Sequence, residues 1–485
     1  MTRICRQTLI LCFLCLIFST TEAQQPKTIQ TFFDQWTRQE NLTHASIGFY
    51  AQEVESGTVL ASSSPQLSLV PASTMKLLTT STALELLGAN YRFETKLAYH
   101  GLLRNDTLFG DIVVIGGGDP ALGSKYFRDH PDYVDFIQKW ANAVRQLNIR
   151  HVTGNIIIDC SIYDDERIPN TWIWEDMGNY YGAGVFGLSA YDNTYEIHLL
   201  SPSEPNQATK LLYTIPHLPE IEFDNRVLSS NENRDKAYVF GSPLDTKRVI
   251  RGTIPKDRKD FKVKASIPNP PFLVGTQLLQ ELRLKGISLA GQIQCSGWEN
   301  KDCLTPVSVI KSPTLATIIS VTNYESVNLF AEHILKHIAY KATGYGTREN
   351  GIKLVRDFWE TQGMNLESMF MEDGSGLSRF NALTAEQLVF VLNYMKTRSI
   401  NSNAFFSSLP AVPDGTLWYF NHSLFPQKSL RAKSGSMTRV RCFAGQLRKS
   451  DGKEILFTVF LNNFSCSQGQ AIKSIEQLLA AIRNQ

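Results

Sequence analysis

The chain has 485 residues, with 48 lysines and arginines against 46 aspartates and glutamates. So even a balance leaves no electrostatic footprint for nucleic acid. The length exceeds what one compact core holds, which predicts two or more domains.

Residues 1–23 read as a signal peptide. Arg3 and Arg6 precede an apolar core from Thr8 to Phe18, and Thr21-Glu22-Ala23 offers the cleavage site. That core is too short to span a bilayer, and no later apolar run could form a membrane helix. Neither Cys12 nor Cys15 follows a small residue, which argues against a lipid-anchored cysteine. Export, in a periplasm-type setting, would place the chain where disulfides form. Five cysteines follow the signal segment: Cys160, Cys295, Cys303, Cys442 and Cys466. The odd number leaves at least one without a partner in the chain. Cys295 with Cys303, or Cys442 with Cys466, could pair, and no spacing suits zinc.

Ile29, Phe32, Phe33 and Trp36 predict an amphipathic helix, followed by a hairpin turning at Ser56-Gly57. Residues 74–87, rich in Leu, Ala, Met and Glu, predict a helix stopped by Gly88. Pro71 blocks earlier propagation, so Ser73 falls in the first turn and Lys76 one turn later on the same face. Segments 111–115, 154–159 and 194–200 read as strands. Ser326 opens a helical pattern through Leu329, Ala331, Ile334, Leu335 and Ile338. Lys433 precedes a strand over 439–447, a turn at Asp451-Gly452 and a strand over 454–462. A last helix carries Ile472, Ile475, Leu478, Leu479 and Ile482 on one stripe, suited to cover that sheet.

Ser73 and Lys76 carry the first chemical signal. A serine hydroxyl is a poor nucleophile until a base takes its proton, and Lys76 lies within reach. A free lysine would need its pKa lowered by roughly three units, about 4 kcal/mol, to serve near neutrality. Burial and a second cation could supply that, and Lys433 is the candidate neighbour. The positive helix end adds to the same effect. Two other Ser-x-x-Lys copies, at Ser308 and Ser450, begin no helix. Lys433-Ser434-Gly435 occurs once, and a lysine, a hydroxyl and a close-approach glycine on one strand make an edge that can grip a carboxylate. Ser326-Val327-Asn328 competes with Ser229…Asn231 and Ser399…Asn401, but it alone opens a helix between the other two motifs. Read singly, Ser73 and Ser326 could each be plain helix caps.

The order Ser73…Lys76, Ser326…Asn328, Lys433-Ser434-Gly435 resembles the serine penicillin-binding proteins. It is most similar to the D-alanyl-D-alanine carboxypeptidase/endopeptidase branch of the penicillin-binding protein 4 type. Gly117-Gly118-Asp119-Pro120, residues 154–159, Trp172-Ile173-Trp174-Glu175-Asp176-Met177, residues 373–379 and residues 431–436 carry that likeness over nearly the whole mature chain. The resemblance implies an α/β (α+β) fold of the transpeptidase/β-lactamase type, an antiparallel sheet flanked by helices and interrupted by an inserted, mostly β region of two small domains. The corresponding division is 24–91 with 266–485 for the catalytic part and 92–265 for the insertion. It implies Ser73 as nucleophile, Lys76 as base, Ser326 as proton relay and Asn328 as orienting group. Lys433 and Ser434 would hold the substrate carboxylate, beside Gly435, and the N–H groups of Ser73 and Ser436 would bind the oxyanion. Asp176 would hold the amino group of a diamino acid, with Tyr181 as an aromatic wall and Arg379 and Met437 as further contacts. The implied partners are peptidoglycan peptides and β-lactams, with no cofactor and no metal. Val327 stands where many relatives have Asp, and Ser434 where most have Thr; Val327 should face away from the site.

Other readings remain. A class A β-lactamase needs a Glu-x-x-x-Asn pattern between the last two motifs, which is missing here. A non-catalytic wall-binding relative would have no need of the intact Ser73, Lys76, Ser326 and Lys433. Gly116-Gly117-Gly118 lacks the rest of a dinucleotide fingerprint and reads as a turn. His333 and His337, four apart, read as a satisfied or exposed pair, Asp164-Asp165-Glu166 as a solvated cluster and Trp172 and Trp174 as packing. Taken without the resemblance, residues 373–379 could be a flexible loop.

Overall fold

The structure is a computed structural model that describes residues 28–130 and 135–485. The segment read as a signal peptide lies outside the described residues. Among the described residues no helix is long and apolar enough to cross a membrane.

A five-stranded antiparallel sheet forms the centre, in the order Leu430–Met437, Val440–Arg448, Glu454–Asn462, Ser46–Glu53, Val59–Ser63. Segments almost four hundred residues apart therefore share one sheet. Glu454–Asn462 is its middle strand, and its apolar residues alternate between two cores. Ile455, Phe457, Val459 and Leu461 face Phe33 and Trp36 of the helix Ile29–Thr37 and Ile475, Leu478 and Leu479 of the last helix, Gln468–Arg483. Leu456 and Phe460 face the other way, into the core shared with the helix Ala385–Thr397.

That second core encloses the helix Lys76–Leu87, buried on every side from Lys76 to Leu84. The helix sits among Leu315–Tyr324, Asn328–Thr343, Arg348–Thr361 and Ala385–Thr397. Its polar side chains are satisfied inside the protein. Thr79 Oγ1 donates to the Gly374 carbonyl at 2.7 Å, and Thr82 Oγ1 accepts from Trp359 Nε1 at 2.9 Å.

The interruption is built of β structure. Thr107–Ile115 and Glu94–Arg104 form the middle of a seven-stranded mixed sheet, and two three-stranded sheets with their own core lie between residues 194 and 266. Residues 266–311 do not run with the five-stranded sheet. Ser288–Leu289 pairs with His151–Val152, Ile293–Cys295 with Ile156–Asp159, and Thr305–Lys311 with Glu94–Arg104. Residues 288–311 thus pair with strands of the 94–159 segment, a pairing that leaves no local mark in composition.

Among the described residues all five cysteines are free thiols. His333 and His337 are buried core groups held near a pKa of about 3 by burial. His333 bonds the Gly118 carbonyl and Ser189 Oγ, and His337 bonds Tyr163 and Tyr91. Of the acidic trio, Asp165 is exposed, but its two neighbours are engaged. Buried Lys336 needs a counter-ion and takes Asp164 at 2.5 Å, while Arg348 grips both oxygens of Glu166 at 3.0 and 2.9 Å.

Candidate active site

Ser73 lies in a tight helical turn, Ala72–Met75, that runs directly into Lys76–Leu87. Ala72 is held at φ +45°, a strained conformation for a residue with a side chain, immediately before the serine. Two glycines allow the close approaches around it. A Cβ on Gly435 would stand 2.6 Å from the Pro71 carbonyl and 3.1 Å from the Ser73 nitrogen. A Cβ on Gly376, at φ +81°, would lie 1.9 Å from the Ala72 carbonyl.

Lys76 Nζ, fully buried, donates to Ser73 Oγ at 3.1 Å, to Asn328 Oδ1 at 2.6 Å and to the Ser375 carbonyl at 2.8 Å. Burial lowers its pKa to about 7, against the opposing pull of Asp373 and then Glu332. The third motif meets the second on the other side. Lys433 Nζ donates to Ser326 Oγ at 2.9 Å and to the Ser434 carbonyl at 2.8 Å. Burial pushes the Lys433 pKa well down, helped by the charges of Lys76 and Arg441. Two neutralisable amines thus flank the two serine hydroxyls.

Ser326 is not a helix cap. Val327 occupies the cap position of Asn328–Thr343 without a side-chain bond and packs against the core, while Ser326 sits at φ +62° with its hydroxyl on Lys433. Asn328 begins the helix, and its Nδ2 donates to the Tyr181 carbonyl at 2.9 Å. This bond joins the inserted segment to the site.

A cleft of about 480 Å³ opens over Ser73. Ser326, Asn328, Asp176, Tyr181, Arg379, Ser434, Ser436 and Met437 all line it. Lys76, Lys433 and Gly435 lie just behind its wall. Asp176, on the short helix Trp174–Met177, is 8% exposed and has its pKa raised by burial, an effect reduced by its bond with Tyr181 and by Arg379.

The loop from Asp373 to Arg379 is not flexible in this fold. Asp373 is buried and accepts from the Gly376 and Ser378 N–H groups at 2.6 Å each, from Asn381 Nδ2 at 2.9 Å and from Trp172 Nε1 at 2.7 Å. Trp172 is therefore packing with a polar anchor, whereas Trp174 is exposed and lies beside Phe240.

Two groups were not found from the sequence. Glu332 is buried behind Lys76 and accepts from the Gly374 and Ser375 N–H groups at 3.1 and 2.7 Å, which holds the Ser375 carbonyl against the amine. Burial, then Asp373, pushes its pKa up. Its position four residues after Asn328 on one helix face was the available signal. Arg441 lines the cleft beside Ser436, its antiparallel partner across the hairpin; reading that register needs the turn at Thr438-Arg439.

The chain belongs to the D-Ala-D-Ala carboxypeptidase 3 (S13) family, whose profile matches residues 29–484. It is 25% identical over 430 residues to a D-alanyl-D-alanine carboxypeptidase of Actinomadura sp. (strain R39), covering 85% of this chain and 76% of that one. To the D-alanyl-D-alanine carboxypeptidase DacB of Haemophilus influenzae it is 22% identical over 431 residues, 87% of this chain and 86% of the relative. The fold is shared with the crystal structure of penicillin-binding protein 4 (dacB) from Haemophilus influenzae, at a TM-score of 0.79 and 20% identity over 93% of this chain and 98% of that one.

Proposed function

We propose that this protein is a serine D-Ala-D-Ala carboxypeptidase that works through an acyl-enzyme at Ser73. The observation that carries the reading is a buried lysine amine 3.1 Å from a serine hydroxyl, with its pKa brought down to about 7. Ser73 Oγ gives its proton to Lys76 Nζ and bonds to the carbonyl carbon of the penultimate D-alanine. The negative oxygen that forms is taken by the Ser73 and Ser436 N–H groups, donors worth roughly 3 kcal/mol each. The C–N bond then breaks as Ser326, beside Lys433, relays to the departing amine the proton that Lys76 took, which leaves Lys76 neutral again. Water, activated by the same amine, attacks the ester and returns the proton to Ser73. Asn328 fixes Lys76, and Asp176 with Tyr181 meets the ammonium group of a diamino acid in the stem peptide. Arg379 and Met437 complete that side of the cleft, and Lys433, Ser434 and Gly435 form the edge along which the peptide lies.

The substrates on this reading are peptidoglycan stem peptides and crosslinks, and β-lactams acylate Ser73 because their ring amide imitates the scissile bond. The setting is extracytoplasmic, with the periplasm as the compartment. The catalytic part is the five-stranded sheet with its helices, and the β-rich region is an insertion in it. Fluorescent penicillin labelling of wild type and Ser73→Ala tests the core claim. A stable label on the wild type alone supports it. No label on the wild type removes the peptidase in favour of a wall-binding relative, and rapid penicillin turnover favours a β-lactamase. Mass spectrometry of digested muropeptides then separates loss of one alanine from cleavage of crosslinked dimers.

A further inference from the structure

A second cleft, of about 460 Å³, shares no lining residue with the one over Ser73. Its walls are the turn at 123–128, the start of the strand Thr194–Ser201, and Ile215 and Lys264 from the two strands that flank it. Asp192 lines this cleft and is only 5% exposed. Its Oδ1 is buried without a hydrogen-bond partner, and Lys125 Nζ stands 3.8 Å from Oδ2, too far for a hydrogen bond. Burial raises its pKa, against the pull of Ser124 and Lys125. Tyr191, Asp192 and Asn193 have φ of +59°, +58° and +48°, a strained run for residues with side chains. Asn193 Nδ2 pins that turn by donating to the Gly184 carbonyl and to Ser189 Oγ at 2.8 Å each.

A buried carboxylate short of donors carries a desolvation cost that an incoming ammonium group offsets. The other charges of the cleft fit the opposite end of such a ligand. Glu196 is taken by Lys262 at 3.0 Å, while Arg128 and Lys264 line the cleft and form no ion pair among the described residues. Both cations can therefore receive a carboxylate. The setting repeats that of Asp176, a buried acid beside a tyrosine, Tyr181, and a cation, Arg379; here the companions are Tyr191 and Lys125. The two clefts are neighbours. Burial raises the Tyr126 pKa, and the charges of Asp192 and of Glu325, a residue of the Ser73 cleft, both add to it.

Resting on the peptidase reading above for the class of peptide, we propose that the Asp192 cleft binds the zwitterionic diamino-acid part of a second stem peptide, apart from the one being cut. Asp192 takes the ammonium group, and Lys125, Arg128 and Lys264 take the carboxylates. Occupied, the site holds a neighbouring strand of the wall beside the catalytic cleft and takes no part in bond cleavage.

The test is a calorimetric titration of the stem tripeptide L-Ala-γ-D-Glu-meso-diaminopimelate, which has no D-Ala-D-Ala bond to cut, into protein acylated at Ser73 by benzylpenicillin. Wild type should bind one tripeptide although the catalytic cleft is filled. Asp192→Asn should weaken that binding roughly tenfold or more, and so should acetylation of the diaminopimelate amine, whereas Asp176→Asn should leave it unchanged. Asparagine accepts a left-handed backbone, so Asp192→Asn should keep the turn and acylate with penicillin at the wild-type rate. Where that rate falls, the acetylated peptide on wild type decides. An acylated wild type that binds nothing, or binding that survives either Asp192→Asn or acetylation, overturns the inference and leaves the peptidase reading standing. If wild type takes no penicillin label, the peptidase reading fails instead. The titration on Asp176→Asn protein then decides the second cleft: loss of binding on adding Asp192→Asn supports it, and persistence overturns it.

Discussion

The lowered pKa of Lys76 makes a sharp kinetic prediction. A lysine at 10.5 would be neutral in roughly one molecule in three thousand at pH 7, whereas one at about 7 is neutral in half of them, roughly a thousandfold more base. Acylation of Ser73 should therefore rise about tenfold per pH unit below 7 and level off above it, gaining roughly a hundredfold between pH 5 and pH 9. Stopped-flow acylation by a fluorescent penicillin reads this directly. The same shift has a thermodynamic sign. Between pH 7 and 10.5 the unfolded chain holds a proton on this lysine that the folded chain has released, so stability rises with pH across that window. The contribution reaches about 5 kcal/mol for this one group. Lys76→Met should then unfold at lower denaturant at pH 10 than expected from its gain at pH 6, because the variant loses the penalty present only at the lower pH. A rate that is flat from pH 5.5 to 8.5, or one that keeps climbing through pH 9, refutes the reasoning.

Glu332→Gln removes a charge that raises the Lys76 pKa, so the acidic limb of acylation should move to lower pH, read in the same assay. Asp373→Ala leaves the Gly376, Ser378, Asn381 and Trp172 donors unpaired inside the protein and should cost roughly 3–5 kcal/mol in urea unfolding, with slower acylation. Trp359→Ala empties a fully buried site and strands Thr82 Oγ1, at about 3–5 kcal/mol, while the labelled serine should remain Ser73. Asp176→Asn should reduce kcat/KM roughly tenfold for peptides with a free amino group on the third residue and spare those without one. In wild type that preference should fade as acid protonates Asp176, whose pKa burial raises; peptide pairs assayed against pH decide it.

Several features were legible because their causes are local. Pro71 and Gly88 bound a helix by fixing backbone angles, so the spacing of Ser73 and Lys76 carried over into the fold. The apolar run in 454–462, bounded by the turn at Asp451-Gly452, reads as a strand, and the stripe in 472–482 follows the 3.6-residue repeat. The order of the three motifs, with its resemblance, pointed to the chemistry before any distance was known. What tertiary structure decided was everything that depends on pairing between distant segments. Residues 266–311 joined the inserted sheet, since nothing in a strand's own residues names its partner. The loop at 373–379 is tied down by Asp373, which gathers the Gly376 and Ser378 N–H groups and Asn381 locally and is anchored to the distant Trp172. The lowered pKa of Lys76 and the place of Lys433 behind the cleft wall come only through burial, a property no single residue carries. Arg441 came to line the cleft because a tight turn set its register against Ser436. Short-range rules gave the parts and their reactive groups; long-range packing set their charge state and their company.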